Sequence, residues 1–311
     1  MRGLPENGVK IKRLGHTPLD VSEVCLGTMP FGNRVDERTA FAIMDVAYAA
    51  GVRFFDTADV YPPPGTPALR GRSEQIVGSW LKRRGVRAQM VLATKVGKPT
   101  DEPGAGGLSR SHILRACDAS LRRLQTSWID LYLAHVPDPT TSVDETLAAL
   151  HELVRIGKVR CIGCSNFPTA GFVQWLRTAQ SLGTASFGAS QEPYNLLIRD
   201  LEHQTMPLCA VYGVGMVANS PLAGGRLTDS YAASQPGDDP IYKLWQLVSQ
   251  RGHSLTHVAV NWVLSRPAIA STVVGASRPE QLEDTLGAIG LTLDAHLIEA
   301  IEETLGKDRG P

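Results

Sequence analysis

Short, unbroken apolar runs alternate along this chain with longer stretches in which apolar positions recur at helical spacing. The short runs read as buried strands, at Ser22–Leu26, Arg53–Phe55, Met90–Thr94, Ile129–Ala134, Arg160–Cys164, Phe187–Gln191, Gly215–Ala218 and Ser271–Val274. The longer ones read as helices, at Glu37–Ala50, Ser73–Arg84, Ser109–Leu124, Val143–Ile156, Thr169–Ser181, Asp200–Tyr212, Ser254–Ser265 and Pro279–Ile289. In the first helix Phe41, Ile43, Met44, Val46, Ala47 and Ala50 form one apolar face, and Gly51 ends it. Ahead of the series, residues 9–21 (VKIKRLGHTPLDV) predict a β-hairpin.

Eight such strand and helix pairs, with strands too apolar to alternate, require a parallel sheet covered on both faces. A closed barrel satisfies this without leaving an edge. The chain is therefore expected to be one α/β domain over residues 1–311, a (β/α)8 TIM barrel with an N-terminal hairpin and extra C-terminal helices. Chemistry in such a barrel belongs at the C-terminal ends of the strands. The long Gly-, Pro- and Asp-rich stretches Tyr61–Arg72, Lys98–Leu108 and Pro221–Pro240 then read as walls and lids of a pocket.

The 311 residues carry 31 Lys+Arg against 31 Asp+Glu, so no uniform field draws nucleic acid or an anionic bilayer. The densest basic run, Lys82–Arg84, reads as a solvated helix end. No apolar stretch reaches the roughly 18 residues of a membrane span, and the first residues lack the apolar core of a signal peptide, so a cytoplasmic location is expected. Five cysteines, an odd number, argue for reduced thiols. Cys161 and Cys164 match a C-x-x-C spacing, but positions three apart on a strand face opposite sides. Residues 213–218 imitate a dinucleotide fingerprint, yet they follow a helix and enter a strand, the reverse of the order phosphate binding needs. No histidine spacing suggests a metal. Nothing in the pattern specifies an oligomeric state.

Ionisable residues gather just where the barrel reading places chemistry. The second strand runs into Phe55-Asp56-Thr57-Ala58-Asp59-Val60-Tyr61, the third ends in Ala93-Thr94-Lys95, and the fourth in Leu133-Ala134-His135. Asp56, Tyr61, Lys95 and His135 thus converge on one barrel mouth. Reduction of a carbonyl builds negative charge on oxygen, which a proton must neutralise. A free phenol titrates near 10. An adjacent cation is expected to make the Tyr61 proton more available, with Lys95 as that cation, Asp56 holding the ammonium and His135 orienting the carbonyl.

These residues resemble the aldo-keto reductase superfamily. So do Leu133-Ala134-His135-Val136-Pro137-Asp138, Gly163-Cys164-Ser165-Asn166-Phe167, Gln191-Glu192-Pro193-Tyr194-Asn195, Ser220-Pro221-Leu222 and Gly275-Ala276-Ser277-Arg278-Pro279-Glu280-Gln281, which follow in the family's order. Ser120-Leu121-Arg122-Arg123-Leu124 and Ile129-Asp130-Leu131-Tyr132 look closest to the branch of potassium channel β subunits and bacterial deoxysugar reductases. The resemblance implies a barrel that binds NADPH, in preference to NADH, and reduces aldehydes or ketones. It implies cofactor contacts from Gly27, Thr28, Met29 and Asp56, and from Ser165, Asn166 and Gln191 at the carboxamide. Asn219, Ser220, Pro221, Leu222, Gly224 and Arg226 would follow along the nicotinamide and pyrophosphate. Gly275, Ser277, Arg278, Gln281 and Asp284 would hold the 2′-phosphate end. The chain departs from the family at Asn219, where a stacking aromatic is usual, at Ser230, where the channel branch has a lysine, and at Thr285, where an asparagine is usual. Two alternatives share this machinery: a keto or enoyl reductase of nucleotide-linked deoxysugars, and a non-catalytic NADPH-binding regulatory subunit.

Overall fold

A computed structural model of the chain describes residues 8–62, 67–99 and 106–306. The hairpin forms as expected, with β1 (Ile11–Arg13) antiparallel to β2 (Asp20–Ser22). Eight parallel strands follow: β3 (Val24–Gly27), β4 (Phe54–Asp56), β5 (Val91–Val96), β6 (Ile129–Ala134), β7 (Val159–Ser165), β8 (Phe187–Pro193), β9 (Gly215–Asn219) and β10 (Ile269–Gly275). They pair in chain order, and β10 pairs with β3 to close the barrel.

The outer layer comprises α1 (Glu37–Ala49), α2 (Arg72–Arg84), α3 (Arg110–Leu124), α4 (Val143–Arg155), α5 (Thr169–Leu182), α6 (Thr205–Tyr212), α7 (Asp229–Ala233), α8 (Pro240–Ser249), α9 (Leu255–Leu264), α10 (Pro279–Leu286) and α11 (Ala295–Thr304). Several boundaries differ from expectation. Ser22 belongs to the hairpin. The helix expected from Asp200 opens with a 3-10 turn at Asp200–Glu202, and the α-helix begins only at Thr205. The stretch 221–240 is not irregular throughout, because Thr228 caps α7, and α8 begins at Pro240 with Asp239 as its cap. Parts of the other two long loops, 63–66 and 100–105, lie outside the described residues.

Two cores divide the molecule. One fills the layer between strands and helices; the other, including Phe54, Ala93, Leu131, Leu133, Cys161, Ala189 and Val217, fills the barrel interior together with Leu14, Leu19 and Val21 of the hairpin. The hairpin is thus the floor plug. It docks by backbone contact: His16 N–H donates to the Gly213 carbonyl at 2.8 Å. At Gly15, with φ 55°, a Cβ would stand 2.3 Å from the Gly215 nitrogen. Only glycine fits there. The Cys161 and Cys164 side chains join different cores, as their spacing predicts, and all five thiols are free and buried.

Candidate active site

On six of the eight barrel strands the interior face turns polar toward the C-terminal end. Phe54 is followed by Asp56, Ala93 by Lys95, Leu133 by His135, Gly163 by Ser165, Ala189 by Gln191, and Val217 by Asn219. The period of two carries the polar residues onto the face that is apolar below. The result is a polar top layer around the barrel mouth. It also explains why three strands run one or two residues past their expected ends: the apolar runs stop at Phe55, Thr94 and Cys164, whereas the strands include Asp56, Lys95 and Ser165.

Lys95 and Asp56, exposed by only 1% and 3%, form an ion pair with Nζ 2.5 Å from Oδ2. Nζ also donates to the Thr57 carbonyl at 2.9 Å, and Gln191 Nε2 reaches across the barrel to Asp56 Oδ1 at 2.8 Å. The ammonium lies 5.1 Å from the centre of the Tyr61 ring. Burial works to lower the Lys95 pKa, but Asp56 and Tyr61 outweigh it and hold the amine above its ordinary value, so it stays charged. The Tyr61 pKa is raised, first by burial; the nearby Lys95 ammonium opposes that rise. Lys95 acts in the expected direction, and burial acts against it. In the free site the cation moderates the phenol's pKa without bringing it below the usual value, because desolvation is the larger effect.

The His135 ring stands edge-on to Tyr61, with centroids 5.8 Å apart. Burial, Lys95 and Lys98 together push its pKa down to about 2, so the imidazole is neutral. Its Nδ1 is buried without a hydrogen-bond partner among the described residues. Such an atom is costly unless something pairs with it.

The residues expected at the cofactor lie along the rim from β7 to α10. Ser165 ends β7, and Asn166 follows in the left-handed region at φ 58°, donating from Nδ2 to the His135 carbonyl and to Ser165 Oγ. After β9, Ser220 (φ 57°), Ala223, Gly224 and Gly225 are left-handed, and a Cβ on either glycine would meet nothing within 4 Å. This backbone borders open space. Pro221 and Leu222 lie inside that turn, and Arg226 is exposed just beyond it. Gly275 ends β10 beside Gly27, while Arg278 stands at the N-cap of α10 with no side-chain cap, leaving that helix end able to take an anion.

Some expected contacts are already spent. The Thr28 hydroxyl is fully buried and bonds the Asp56 carbonyl and Ser73 Oγ, and Gly27 is buried, so Met29, 49% exposed, is the one of the three that reaches the surface. Gln281 Oε1 accepts from the Ser277 N–H and hydroxyl, so both Ser277 donors are engaged just ahead of α10. Asp284 faces His257 Nε2 at 3.2 Å. The Thr285 hydroxyl donates to the Gln281 carbonyl within its own helix.

Sequence reading missed the supports. Ser73, in the first turn of α2, donates to the Thr28 carbonyl and contacts the Thr28 and Thr57 hydroxyls, fastening the helix behind the Asp56 strand end. Asn195 Nδ2 donates to the Ser220 carbonyl at 2.9 Å and holds that left-handed residue. A small hydroxyl residue beginning a helix is the one signal that could have found Ser73; Asn195 reaches Ser220 only through the fold.

The chain belongs to the aldo/keto reductase family, whose model matches residues 23–305. It is 38% identical over 309 residues to an uncharacterized oxidoreductase, YrpG, of Bacillus subtilis (strain 168), covering 93% of this chain and 94% of that protein. Protein tas of Escherichia coli (strain K12) is 30% identical over 331 residues, covering 93% of this chain and 96% of its own. A probable voltage-gated potassium channel subunit beta of Oryza sativa subsp. japonica is 31% identical over 321 residues, at 94% and 96% coverage. The protein is therefore an oxidoreductase of the aldo-keto reductase type, a family that uses a nicotinamide cofactor and acts on small carbonyl compounds. Among the described residues no helix is long and apolar enough to cross a membrane, and no cluster of metal-binding side chains occurs.

Proposed function

We propose that the protein is an NADPH-dependent reductase of aldehydes or ketones in which Tyr61 is the proton donor. The observation that carries this reading is the buried Lys95–Asp56 pair set against the Tyr61 ring, with a neutral histidine edge-on to the same ring. The residues fit a nicotinamide dinucleotide: amide and hydroxyl groups line the rim at Ser165, Asn166 and Gln191, open backbone follows at Gly224 and Gly225, and the start of α10 is uncapped. Gln191 has its nitrogen committed to Asp56, so its Oε1 is the atom left to accept from a carboxamide N–H.

Bound NADPH supplies the hydride for the carbonyl carbon. The chain's own residues do the rest. The carbonyl oxygen is oriented by His135 and takes its proton from the Tyr61 hydroxyl as negative charge develops. Lys95 remains charged beside the phenol and stabilises the phenolate left behind; Asp56 and the Thr57 carbonyl fix the ammonium where that charge forms. A phenol kept protonated by burial is suited to give a proton only when the substrate demands it.

Tyr61→Phe is expected to lower kcat for 4-nitrobenzaldehyde reduction by about 10²–10⁴-fold while NADPH affinity stays near wild type. Undiminished turnover would remove Tyr61 from the mechanism. Preference for NADPH over NADH is assigned to Arg278 at the α10 N-cap, where a guanidinium suits the 2′-phosphate. In Arg278→Ala the ratio of the NADH and NADPH dissociation constants is expected to fall by about 10–100-fold. An unchanged ratio would discard that role.

A further inference from the structure

Glu192 is the buried acid that the reaction above does not use. It follows Gln191 on β8 and points away from the barrel interior, with 4% of its surface exposed. Its Oε1 accepts from Ser190 Oγ at 3.0 Å and from the Phe167 N–H at 3.3 Å, and the neighbouring Asn166 N–H helps to stabilise the charged form of the same carboxylate. The titratable groups facing it are Cys164 on β7 and Cys209 on α6, both thiols kept neutral by burial. No ion pair among the described residues includes Glu192. Burial drives its pKa up to about 7, against the pull of those hydrogen bonds.

A buried carboxylate without a counter-ion opposes folding, and a valine would fill the same strand position without that penalty. Beyond Ser190, what the carboxylate holds is the backbone of Asn166 and Phe167. Asn166 sits in a left-handed conformation, with its side chain tied to the His135 carbonyl and to Ser165 Oγ. Adjacent residues of β8 thus act in opposite directions. Gln191 reaches inward to Asp56, and Glu192 reaches sideways to the loop after β7.

We propose that Glu192 is a positioning residue for the nicotinamide end of the cofactor, clamping the Asn166–Phe167 backbone so that Ser165 and Asn166 meet the carboxamide; this rests on the NADPH reading above. The charged carboxylate is the stronger acceptor, so the clamp tightens as pH rises through neutrality. The loop it sets is a binding element; proton transfer lies with other residues.

The test compares wild type with Glu192→Val, which removes the acceptor, and Glu192→Gln, which keeps a neutral one. Glu192→Val is expected to raise the NADPH dissociation constant by about tenfold, measured by quenching of protein fluorescence, with kcat at saturating cofactor retained. In the ligand-free protein the amides of Asn166 and Phe167 should exchange with deuterium faster than in wild type. Unchanged affinity or unchanged exchange would overturn the proposal. Between pH 8 and pH 6 wild type should lose affinity more steeply than Glu192→Gln. The difference between the two is the readout, because the 2′-phosphate ionises in the same range. Should Glu192→Val fail to fold, identical slopes for these two proteins overturn the proposal equally. If wild type binds no NADPH the cofactor reading itself fails, whereas exchange in the ligand-free protein judges the clamp separately.

Discussion

Floor and mouth of this barrel each hold a buried aspartate, and the two are satisfied very differently. At the floor, Asp130 Oδ2 accepts from Arg87 Nη2 at 2.7 Å and the Leu92 N–H at 3.0 Å, while Oδ1 accepts from Arg160 Nη1 at 2.9 Å and Trp128 Nε1 at 3.1 Å. Both oxygens are saturated. Both guanidiniums also lie over the Trp128 ring. At the mouth, Asp56 is held by Lys95 and Gln191, but the network stops there: the ammonium faces a phenol, and His135 Nδ1 has no partner among the described residues. Burial of a charge does not mark the active end. The two ends differ in their surroundings: around Asp130 pairing is complete, whereas at the mouth it stops at the Lys95 ammonium beside the phenol and at the unpaired His135 Nδ1.

That contrast can be broken from either side. The largest effect is expected at the mouth: Lys95→Met should reduce kcat/KM by about 10³-fold, equivalent to about 4 kcal/mol of barrier, because the phenolate loses its neighbouring cation. Steady-state kinetics on the folded variant checks this, and a loss under tenfold would reduce Lys95 to a structural ion. At the floor, Asp130→Ala should cost about 3–5 kcal/mol of stability by leaving Arg87 poorly compensated, with kcat almost unchanged. Urea denaturation paired with kinetics decides; a fall in kcat as large as that for Lys95→Met would erase the distinction drawn between the two ends.

The smallest expected effect is that of pH. With the His135 pKa near 2 and the Tyr61 phenol above its ordinary 10, neither group changes charge between pH 5 and pH 9. The active form, neutral histidine and protonated phenol, is lost only as pH rises above about 10. At saturating NADPH, kcat for carbonyl reduction should be flat across pH 5–9. An inflection near pH 6.5 would restore an ionising histidine to the mechanism.

The readability of the site follows the same division. Asp56, Lys95 and His135 were legible because each breaks an apolar run where a barrel places chemistry, and Tyr61 because it follows in the first turn, its N–H bonded to the Ala58 carbonyl. Glu192, Asn195 and Ser73 carry no such mark. Each works through partners 25 to 45 residues away in the chain, Glu192 on Phe167, Asn195 on Ser220, Ser73 on Thr28. α8 went unread although its signal was present, with Asp239 before Pro240 and buried Ile241, Leu244 and Val248 at helical spacing. The loop-like composition just before it masked the start.

Sequence periodicity alone determined the count and order of strands, their closure into a barrel, and the end at which polar residues gather. These depend on which residues must leave water, and that is written locally along the chain. Tertiary structure alone decided that burial outweighs Lys95 in setting the Tyr61 pKa, that Thr28 and Thr285 spend their hydroxyls internally, and that Gln191 bonds Asp56. Desolvation and hydrogen-bond satisfaction depend on everything packed around a group, so they exist only once the barrel has closed.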